Sequence, residues 1–384
     1  MAKDKKKTVS GIINQMRNTN ESRYLLTQDE IDKLDRGVPL KGMLPLQAIM
    51  RTNVIPLHNF MTVTGVHDVG KSNLIWEMAR VWIEHGGIVS YIGIETNENV
   101  EKQKRILHNP NYMDNVLYYK NTNHIDTMRD VIIEVNEKLA EVDPQGDIPL
   151  LILLDSLGHI TKDGKLEGMK PKDQEKVKEG NNMDGAHSSK KIKKFLNMLQ
   201  VNYLNDRPVT FIVINHKHEK IQTGFSMGKS YYNPGGKYKD YLNCAVLDMV
   251  RIGKNSSVTS NQTFFVKMRN TKQACGPARK IDIEVPFTDW DITLPDHEEP
   301  IAVCGFDWDT SLVKLLLSDY TSKTQLKEII NITKKGKTYN CKELELEGVS
   351  DKELGEAIHN NEEIVSKLQK LYTISNYYEI PKVE

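Results

Sequence analysis

The chain has 384 residues, of which 39% are hydrophobic and 27% are charged, a composition close to that of ordinary globular proteins. Its 52 Lys and Arg residues balance 52 Asp and Glu residues, so any contact with nucleic acid or an anionic membrane requires a local basic patch. The longest apolar run, Leu150–Leu154, is far shorter than the ~20 residues of a membrane-spanning helix. At roughly 150 residues a domain, we expect two to three domains outside the membrane.

The first 50 residues form a polar N-terminal segment. Its lysine-rich start is not followed by the apolar stretch of a signal peptide, and a short helix is predicted at Gln28–Leu34. The whole chain has four cysteines without a C-x-x-C pair: Cys244, Cys275, Cys304 and Cys341. This pattern argues against a disulfide scaffold or a zinc site and favours a reducing compartment, so we expect a cytoplasmic protein.

Residues 51–290 alternate short β-rich runs with amphipathic helices. This alternation is typical of an α/β domain with a mostly parallel central sheet that is covered on both faces. Near Asp291 the composition shifts to proline and acidic residues, which predicts a boundary. A small C-terminal α+β domain, residues 291–384, is expected to follow, with helices at Thr310–Ser318 and Asp351–Leu371.

One segment fits the phosphate-loop pattern G-x-x-x-x-G-K-[ST]. Its residues are Gly65, Val66, His67, Asp68, Val69, Gly70, Lys71 and Ser72. A strand is predicted before it at Phe60–Thr64 and a buried helix after it at Asn73–His85, so Asn73 belongs to the same site. In this context backbone N–H groups turn toward phosphates, and the helix N-terminus adds positive potential. Lys71 would reach the β- and γ-phosphates of a nucleotide, and the Ser72 hydroxyl would bind Mg²⁺.

The loop also contains Asp68, a carboxylate in an anion-binding segment. It is compatible with phosphate if its side chain points to solvent and only its N–H is used. The alternative for the whole motif is a fortuitous turn, and chance gives such a match in about one or two chains per hundred of this length. We therefore interpret the motif as a nucleotide site.

Two other predicted strands end in carboxylates. Ile88–Ile94 runs to Glu95, and Pro149–Asp155 is a continuous apolar run that ends in an aspartate. Because the carboxyl ends of parallel strands line the ligand crevice, Glu95 would polarise a water for attack on the γ-phosphate. Asp155 would bind Mg²⁺ together with Ser72. The alternative for Glu95 is a solvated charge at a strand end.

A long polar stretch at residues 158–184 precedes a predicted helix, Ala186–Leu204, and a strand, Val209–Ile214. A loop of that length in a compact domain is usually functional or disordered. The strand is followed by Asn215 and His216, and an amide or neutral imidazole there would contact the γ-phosphate and report the nucleotide state. A turn asparagine with a solvated histidine is an equal alternative.

The segment 216–239 holds five lysines, one acidic residue and four aromatic residues among glycines. Lysines track the phosphates of a polynucleotide, and aromatic rings stack on bases at about 1–3 kcal/mol each. The segment is therefore predicted to bind single-stranded DNA. The residues selected are Lys217, Lys220, Phe225, Lys229, Tyr231, Tyr232, Gly235, Gly236 and Lys237. A solvated loop whose tyrosines pack on the core is the alternative.

Three further strands are predicted at Ala245–Ile252, Thr263–Met268 and Lys280–Val285. Between the last two, a basic turn is predicted that carries Arg269 and Lys272. These cations would reach a nucleotide bound by a neighbouring subunit, as arginine fingers do. Ordinary surface charge is the alternative.

These motifs together resemble the RecA-type recombinases, and within them the UvsX-like recombinases of T-even-type bacteriophages. The resemblance covers about residues 50–290 with specific motifs and the C-terminal region more loosely. It is carried by the phosphate loop and by Arg51–Thr52, Ile55–Leu57, Leu153–Gly158, Ile214–His216, Phe225–Ser226, Gly235–Gly236, Leu247–Asp248 and Arg251–Gly253.

The resemblance implies a RecA-like ATPase core that uses ATP and Mg²⁺. Such a protein forms a homo-oligomeric helical filament on single-stranded DNA and exchanges strands with a homologous duplex. By position, the resemblance makes Glu95 the catalytic glutamate, Asp155 the Walker-B aspartate and His216 the nucleotide sensor. Residues 158–184 and 216–236 correspond to the first and second DNA-binding loops.

Further expectations come from the same resemblance. Arg269 and Lys272 would reach across the subunit interface, and residues 1–50 would include a subunit-contact arm. Single-stranded-DNA-binding proteins and mediator proteins are expected partners. The expected location is the bacterial cytoplasm, with a phage-encoded protein that acts in its host.

Three other classes of protein share parts of this pattern. A RecA-core replicative helicase usually carries a large N-terminal domain, for which a 50-residue leader is too short. A regulatory GTPase needs an N-K-x-D guanine contact, which residues 215–218 do not supply. The third is a non-hydrolysing, nucleotide-dependent protein that coats single-stranded DNA or acts as a mediator. Asp68 and Gly93 keep this alternative open, whereas the presence of Glu95 argues against it.

Overall fold

The computed structural model describes residues 36–93, 99–120, 125–156, 193–199, 207–219, 231–232, 243–252, 264–273, 281–294, 301–373 and 378–379. The predicted helix at Gln28–Leu34 and the predicted loop at residues 158–184 lie outside this part of the chain. Of the predicted helix Ala186–Leu204, residues 193–199 are described, and they are helical.

The strands are β1 (Arg36–Pro39), β2 (Val54–Pro56), β3 (Phe60–Gly65), β4 (Ile88–Gly93), β5 (Val116–Lys120), β6 (Leu150–Asp155), β7 (Val209–His216), β8 (His218–Glu219), β9 (Tyr231–Tyr232), β10 (Asn243–Ile252), β11 (Phe264–Gln273), β12 (Asp282–Leu294), β13 (Ile301–Phe306), β14 (Ile332–Lys335), β15 (Thr338–Cys341), β16 (Leu346–Val349) and β17 (Tyr378–Glu379).

The helices are α1 (Leu44–Met50), α2 (Lys71–Glu84), α3 (Val100–Leu107), α4 (Ile125–Val142), α5 (193–199), α6 (Trp308–Leu316), α7 (Lys323–Ile329), α8 (Asp351–His359) and α9 (Glu362–Tyr372). A short 3-10 helix, Pro110–Asn115, lies between α3 and β5. Within the described residues, no helix combines the length and the apolar character needed to cross a membrane.

A nine-stranded sheet forms the centre of the fold, in the order β13-β12-β11-β10-β3-β7-β6-β4-β5. The six strands from β10 to β5 run parallel to their neighbours. The strands β11, β12 and β13 extend this sheet in antiparallel fashion. The predicted α/β class with a mostly parallel central sheet is therefore confirmed.

Both faces of the parallel part of the sheet are buried. Successive residues of β6 alternate between two apolar clusters: Leu151 and Leu153 belong to one, and Leu150, Ile152 and Leu154 belong to the other. The first cluster contains the apolar face of α2, and the second contains the apolar faces of α4 and α5. A strand buried on both faces reads as a continuous apolar run, which is why β6 is easy to recognise in the sequence.

The register of the parallel strands aligns their carboxyl ends. Gly65 at the end of β3 lies opposite His216 at the end of β7, and Gly93 at the end of β4 lies opposite Asp155 at the end of β6. On the other side of β3, Met249 of β10 is also opposite Gly65. The phosphate-loop motif, Asp155 and His216 therefore leave the sheet at the same edge.

Residues 36–50 are part of the central packing. Every residue of α1 is buried, and β1 pairs with β2. The helix α1 lies against α6 and α9 of the C-terminal region and against the strands β11 and β12. The sequence prediction grouped these residues with a polar leader, although the run Leu44–Met50 is largely apolar.

The C-terminal region differs from the sequence prediction in two places. The predicted boundary at Asp291 falls inside β12, which pairs with β13, the last strand of the central sheet. The prediction of one helix over Asp351–Leu371 is wrong, because α8 ends at His359 and the backbone at Asn361 is extended. The Asn361 side chain accepts a hydrogen bond from the N–H of Ile364 and caps α9 as a separate helix.

Candidate nucleotide-binding site

The phosphate-loop motif forms the turn between β3 and α2. Gly70 has φ 82° and Asp68 has φ 57°, so both adopt the left-handed conformation that favours glycine. Gly65 lies so close to β10 that a Cβ atom there would be 2.6 Å from the carbonyl oxygen of Met249. The Asp68 side chain is exposed, which keeps its carboxylate in water while its backbone takes part in the turn.

The side chain of Lys71 is enclosed by the loop that precedes it. Lys71 is 4% exposed, and its Nζ atom donates a 2.6 Å hydrogen bond to the carbonyl oxygen of Val66. A buried ammonium needs hydrogen-bond acceptors, and this carbonyl is one of them. Lys71 also lines the cavity above the loop.

The structure brings Ser72 and Asp155 together. The Ser72 hydroxyl donates a 2.7 Å hydrogen bond to Oδ2 of Asp155, and the same oxygen lies 3.4 Å from the Tyr91 hydroxyl, which donates to it. Asp155 is buried at the end of β6. A hydroxyl and a carboxylate in contact are hard oxygen ligands of the kind that Mg²⁺ prefers.

His216 contacts His67, a residue of the phosphate loop to which the sequence analysis gives no separate role. The imidazole rings of His67 and His216 are stacked, with centroids 4.4 Å apart and an interplanar angle of 21°. The next residue, Lys217, donates its backbone N–H to the carbonyl oxygen of Gly65 at 3.0 Å. The end of β7 is thus attached to the loop by both a ring contact and a backbone hydrogen bond.

These side chains line a cavity of about 440 Å³, a volume within the range of small-molecule sites. The predicted residues on its wall are His67, Asp68, Val69, Gly70, Lys71, Ser72, Asn73, Asp155 and His216. Sequence reasoning missed seven further wall residues: Trp76, Tyr91, Asn99, Lys102, Gln103, Ile106 and Arg251.

Two of the missed residues carry a signal that could have found them. Trp76 is four residues after Ser72 on α2 and therefore lies on the same face of that helix. Its ring is 4.9 Å from the ring of Tyr91, which extends the cavity wall along β4. Asn99 precedes α3 and accepts a 3.0 Å hydrogen bond from the N–H of Lys102, the usual contact of an N-cap residue.

Two cations selected from the sequence share one buried carboxylate. Lys217 Nζ lies 2.5 Å from Oδ1 of Asp248, and Arg269 donates to Oδ2 of Asp248 from Nη2 at 2.7 Å and from Nε at 2.9 Å. Asp248 is 1% exposed. In this structure both cations are therefore paired within the chain.

The predicted basic turn that carries Arg269 and Lys272 is wrong. Both residues lie on β11, which continues to Gln273 and pairs with β10. Arg269 is opposite Asp248 and Lys272 is opposite Val246, with an irregularity in the register between them. The strand extends beyond its apolar part because the polar residues pair with the backbone of β10.

Behind α2, a buried group of charges connects this helix to β13. Glu77 accepts a 3.0 Å hydrogen bond from the N–H of Phe306 and forms an ion pair with Arg80 at 3.3 Å. Burial raises the pKa of the Glu77 carboxyl. The nearby His108 has its pKa lowered to about 4, mainly by burial and also by the positive charge of Arg80. These contacts fix the helix that begins at the phosphate loop.

Several predicted site residues lie outside the described residues: Glu95, Lys220, Phe225, Lys229, Gly235, Gly236 and Lys237. Tyr231 and Tyr232 form β9, which pairs antiparallel with β8. Since β8 begins one residue after Lys217, this pairing brings the backbone of the two tyrosines close to the end of β7.

Among the residues that the structure describes, no three His, Cys, Asp or Glu side chains are grouped so that they could hold a metal ion. A nucleotide-bound Mg²⁺ needs fewer protein ligands, because phosphate oxygens and waters complete its shell. No protein-family model matches this chain, and no curated protein matches it either.

Proposed function

We propose that this protein is a DNA-dependent ATPase that forms a filament on single-stranded DNA and catalyses homologous pairing and strand exchange. The observation that carries the proposal is the hydrogen bond between Ser72 Oγ and Asp155 Oδ2, beside the buried Lys71. In P-loop ATPases, a loop hydroxyl and a strand-end carboxylate hold the Mg²⁺ of the nucleotide, while the loop lysine contacts its phosphates.

The residues around the cavity fit ATP with Mg²⁺. The left-handed backbone at Asp68 and Gly70 belongs to a turn that runs into the N-terminus of α2, where backbone N–H groups and the helix dipole favour phosphate. Lys71 would bind the β- and γ-phosphates, and Ser72 and Asp155 would hold the metal. When bound, Mg²⁺ would neutralise charge on the phosphates.

Glu95 is proposed as the general base that activates water. The strand β4 ends at Gly93, opposite Asp155 in the β4–β6 register. The last described residue before Glu95 is therefore next to the proposed metal-binding carboxylate. The proposed role requires the Glu95 carboxylate to lie near the cavity, because a general base must be within reach of the water that it activates.

DNA binding is proposed to be coupled to the nucleotide through His216. Its imidazole is on the cavity wall, and residues 217–239, which follow it, are the proposed DNA-binding segment. A change at the phosphate loop would reach His216 through the His67 stack and the Gly65–Lys217 hydrogen bond. Such coupling is reciprocal, so ATP and single-stranded DNA must each raise the affinity for the other.

The decisive experiment measures ATP hydrolysis with and without single-stranded DNA, for the wild type and for Glu95→Gln. The proposal expects DNA to stimulate turnover and the substitution to abolish the stimulated rate. Glu101→Gln is the matched control, since Glu101 is exposed on α3 and has no assigned role. A rate of ATP hydrolysis that does not change when single-stranded DNA is added contradicts the proposal.

A second assay separates strand exchange from the activities of related proteins. A labelled duplex is offered to the protein with homologous or heterologous single-stranded DNA, in the presence of ATP. Strand exchange releases the labelled strand only with the homologous partner, whereas a helicase releases it with either. Nucleotide-dependent DNA binding without turnover or exchange would instead identify a coating protein.

A further inference from the structure

Asp248 is a buried carboxylate that binds two cations from neighbouring strands. Its Oδ1 atom accepts the hydrogen bond of Lys217, which follows β7, and its Oδ2 atom accepts two hydrogen bonds from Arg269 on β11. Burial of a carboxylate without partners is costly. The two cations therefore account for the presence of an aspartate at a 1% exposed position of β10.

The two cations differ in their exposure to solvent. The backbone N–H of Lys217 is bonded to Gly65, and its side chain crosses the end of β3 to reach Asp248 on β10. The Lys217 side chain is 20% exposed and that of Arg269 is 46% exposed. The Arg269 side chain is therefore more accessible to a phosphate in solution than the Lys217 side chain is.

We propose that Asp248 is the internal counter-ion of a phosphate-binding cation pair, and that a phosphate group displaces it from Arg269. Two cations and one carboxylate leave one positive charge in the group. A guanidinium binds phosphate with the same two-pronged geometry with which it binds a carboxylate. After the exchange, Asp248 retains Lys217, so the buried carboxylate keeps a cationic partner.

The inference rests on the proposed function, which offers two sources of the phosphate. One is the backbone of single-stranded DNA, and the other is a nucleotide bound by a neighbouring subunit. In either case Asp248 competes with the incoming phosphate for Arg269. The carboxylate therefore lowers the affinity of the free chain for phosphates at this edge of the sheet.

The test compares Asp248→Asn with the wild type, without nucleotide, using two probes. Binding of a fluorescein-labelled oligothymidylate is followed by anisotropy, and binding of tripolyphosphate by calorimetry. Because the competing charge is removed, we expect about tenfold tighter binding of at least one probe, and Arg269→Ala in the same chain should cancel the gain. The melting temperature should fall, since Lys217 and Arg269 lose their shared partner.

The matched control is Asp130→Asn, which removes a carboxylate that pairs with Arg129 at 2.9 Å on α4, away from Arg269. It changes the net charge by the same amount and measures the general effect of that change. A gain in affinity for Asp248→Asn that exceeds that of the control supports the inference. A gain with oligothymidylate alone identifies the DNA source, and a gain with tripolyphosphate alone identifies the nucleotide source. Binding no tighter than that of Asp130→Asn overturns the inference.

If Asp248→Asn does not fold, Lys217→Met provides the test with Asp248 in place. Asp248 then competes for Arg269 with its full charge, so Arg269→Ala should weaken binding of the probes less in this background than in the wild type. An equal loss in both backgrounds overturns the inference. Because none of these measurements uses ATP hydrolysis, they fail or succeed separately from the ATPase test of the proposed function.

Discussion

The hydroxyl of Ser72 donates a hydrogen bond to Asp155, a residue 83 positions further along the chain. The two residues meet because β3 and β6 are both neighbours of β7 and run parallel to it, so the chain after β3 and the end of β6 reach the same edge of the sheet. The hydroxyl and the carboxylate are therefore already in contact in this structure. The proposed Mg²⁺–nucleotide site depends on this contact, since a preorganised pair of oxygen ligands favours tight binding.

The first prediction concerns the carboxylate of this pair. Asp155→Asn keeps an oxygen that can accept the Ser72 hydrogen bond but removes the negative charge. We expect the rate of ATP hydrolysis to fall by at least about a hundredfold and the Mg²⁺ concentration needed for half-maximal activity to rise. The melting temperature should change little. Titration of Mg²⁺ at saturating ATP measures both effects. Asp147→Asn, at an exposed position, is the control, and an unchanged Mg²⁺ profile for Asp155→Asn would contradict the assignment.

The second prediction concerns the lysine of the phosphate loop. Lys71→Met keeps most of the buried aliphatic stem and removes the ammonium that we propose to bind phosphate. We expect the dissociation constant for ATP to rise about 10- to 100-fold, which is the usual value of a charge-assisted hydrogen bond. Titration with a fluorescent ATP analogue measures this change. Lys41→Met alters an exposed lysine and should bind as the wild type does; equal affinity for both variants would show that Lys71 does not bind phosphate.

The third prediction concerns the stack of His67 on His216. His67→Ala removes the ring contact, and His67→Phe retains an aromatic ring at the same place. We expect the alanine variant to lose several-fold in the ATP-dependent increase of affinity for single-stranded DNA, consistent with about 1 kcal/mol for an aromatic pair. The phenylalanine variant should keep most of that increase. Affinities measured with and without nucleotide give the coupling factor, and equal coupling in all three chains would exclude this route.

The fourth prediction concerns pH. The pKa of His108 is lowered to about 4 by burial and by Arg80, whereas the unfolded chain has a histidine pKa of about 6.5. Between these values the unfolded state binds more protons, so the free energy of unfolding decreases as the pH falls from about 6.5 to about 4. The loss from this residue is up to about 3 kcal/mol.

The matched variant for this prediction is His108→Asn. His108 has φ 62°, and asparagine tolerates this left-handed conformation without titrating. Urea unfolding between pH 4 and pH 7 should show a shallower loss of stability for the variant than for the wild type. Parallel curves would mean that another group causes the acid sensitivity.

Much of the central fold can be predicted from the sequence, since its elements are long and periodic. The helix α2 repeats apolar residues at helical spacing, and β6 is a continuous apolar run, so both are found near their true bounds. The phosphate-loop motif lies between a strand and a helix wherever it is functional, so it also predicts the elements on either side of it. The parallel arrangement then brings strand ends to one edge, which is enough to expect Ser72 and Asp155 close together.

What could not be predicted depends on contacts between strands and between rings. The pairing of Asp248 with Arg269 requires the antiparallel register of β10 and β11, which contains an irregularity between Val246 and Leu247. The pattern of apolar and polar residues does not reveal this register, so the sequence alone predicts Arg269 on a turn. The stack of His67 on His216 depends on the backbone path of the loop. The Trp76 and Tyr91 side chains reach the cavity only because α2 lies across β4.

The hydrogen bond from the Phe306 N–H to Glu77 has a consequence for the organisation of the chain. Phe306 ends the outermost strand of the central sheet, and two residues later α6 opens the C-terminal lobe. A chain shortened before this strand would leave Glu77 facing water on the helix that starts at the phosphate loop. The C-terminal lobe therefore cannot be separated from the core without β13, the strand whose backbone binds the helix that starts at the phosphate loop.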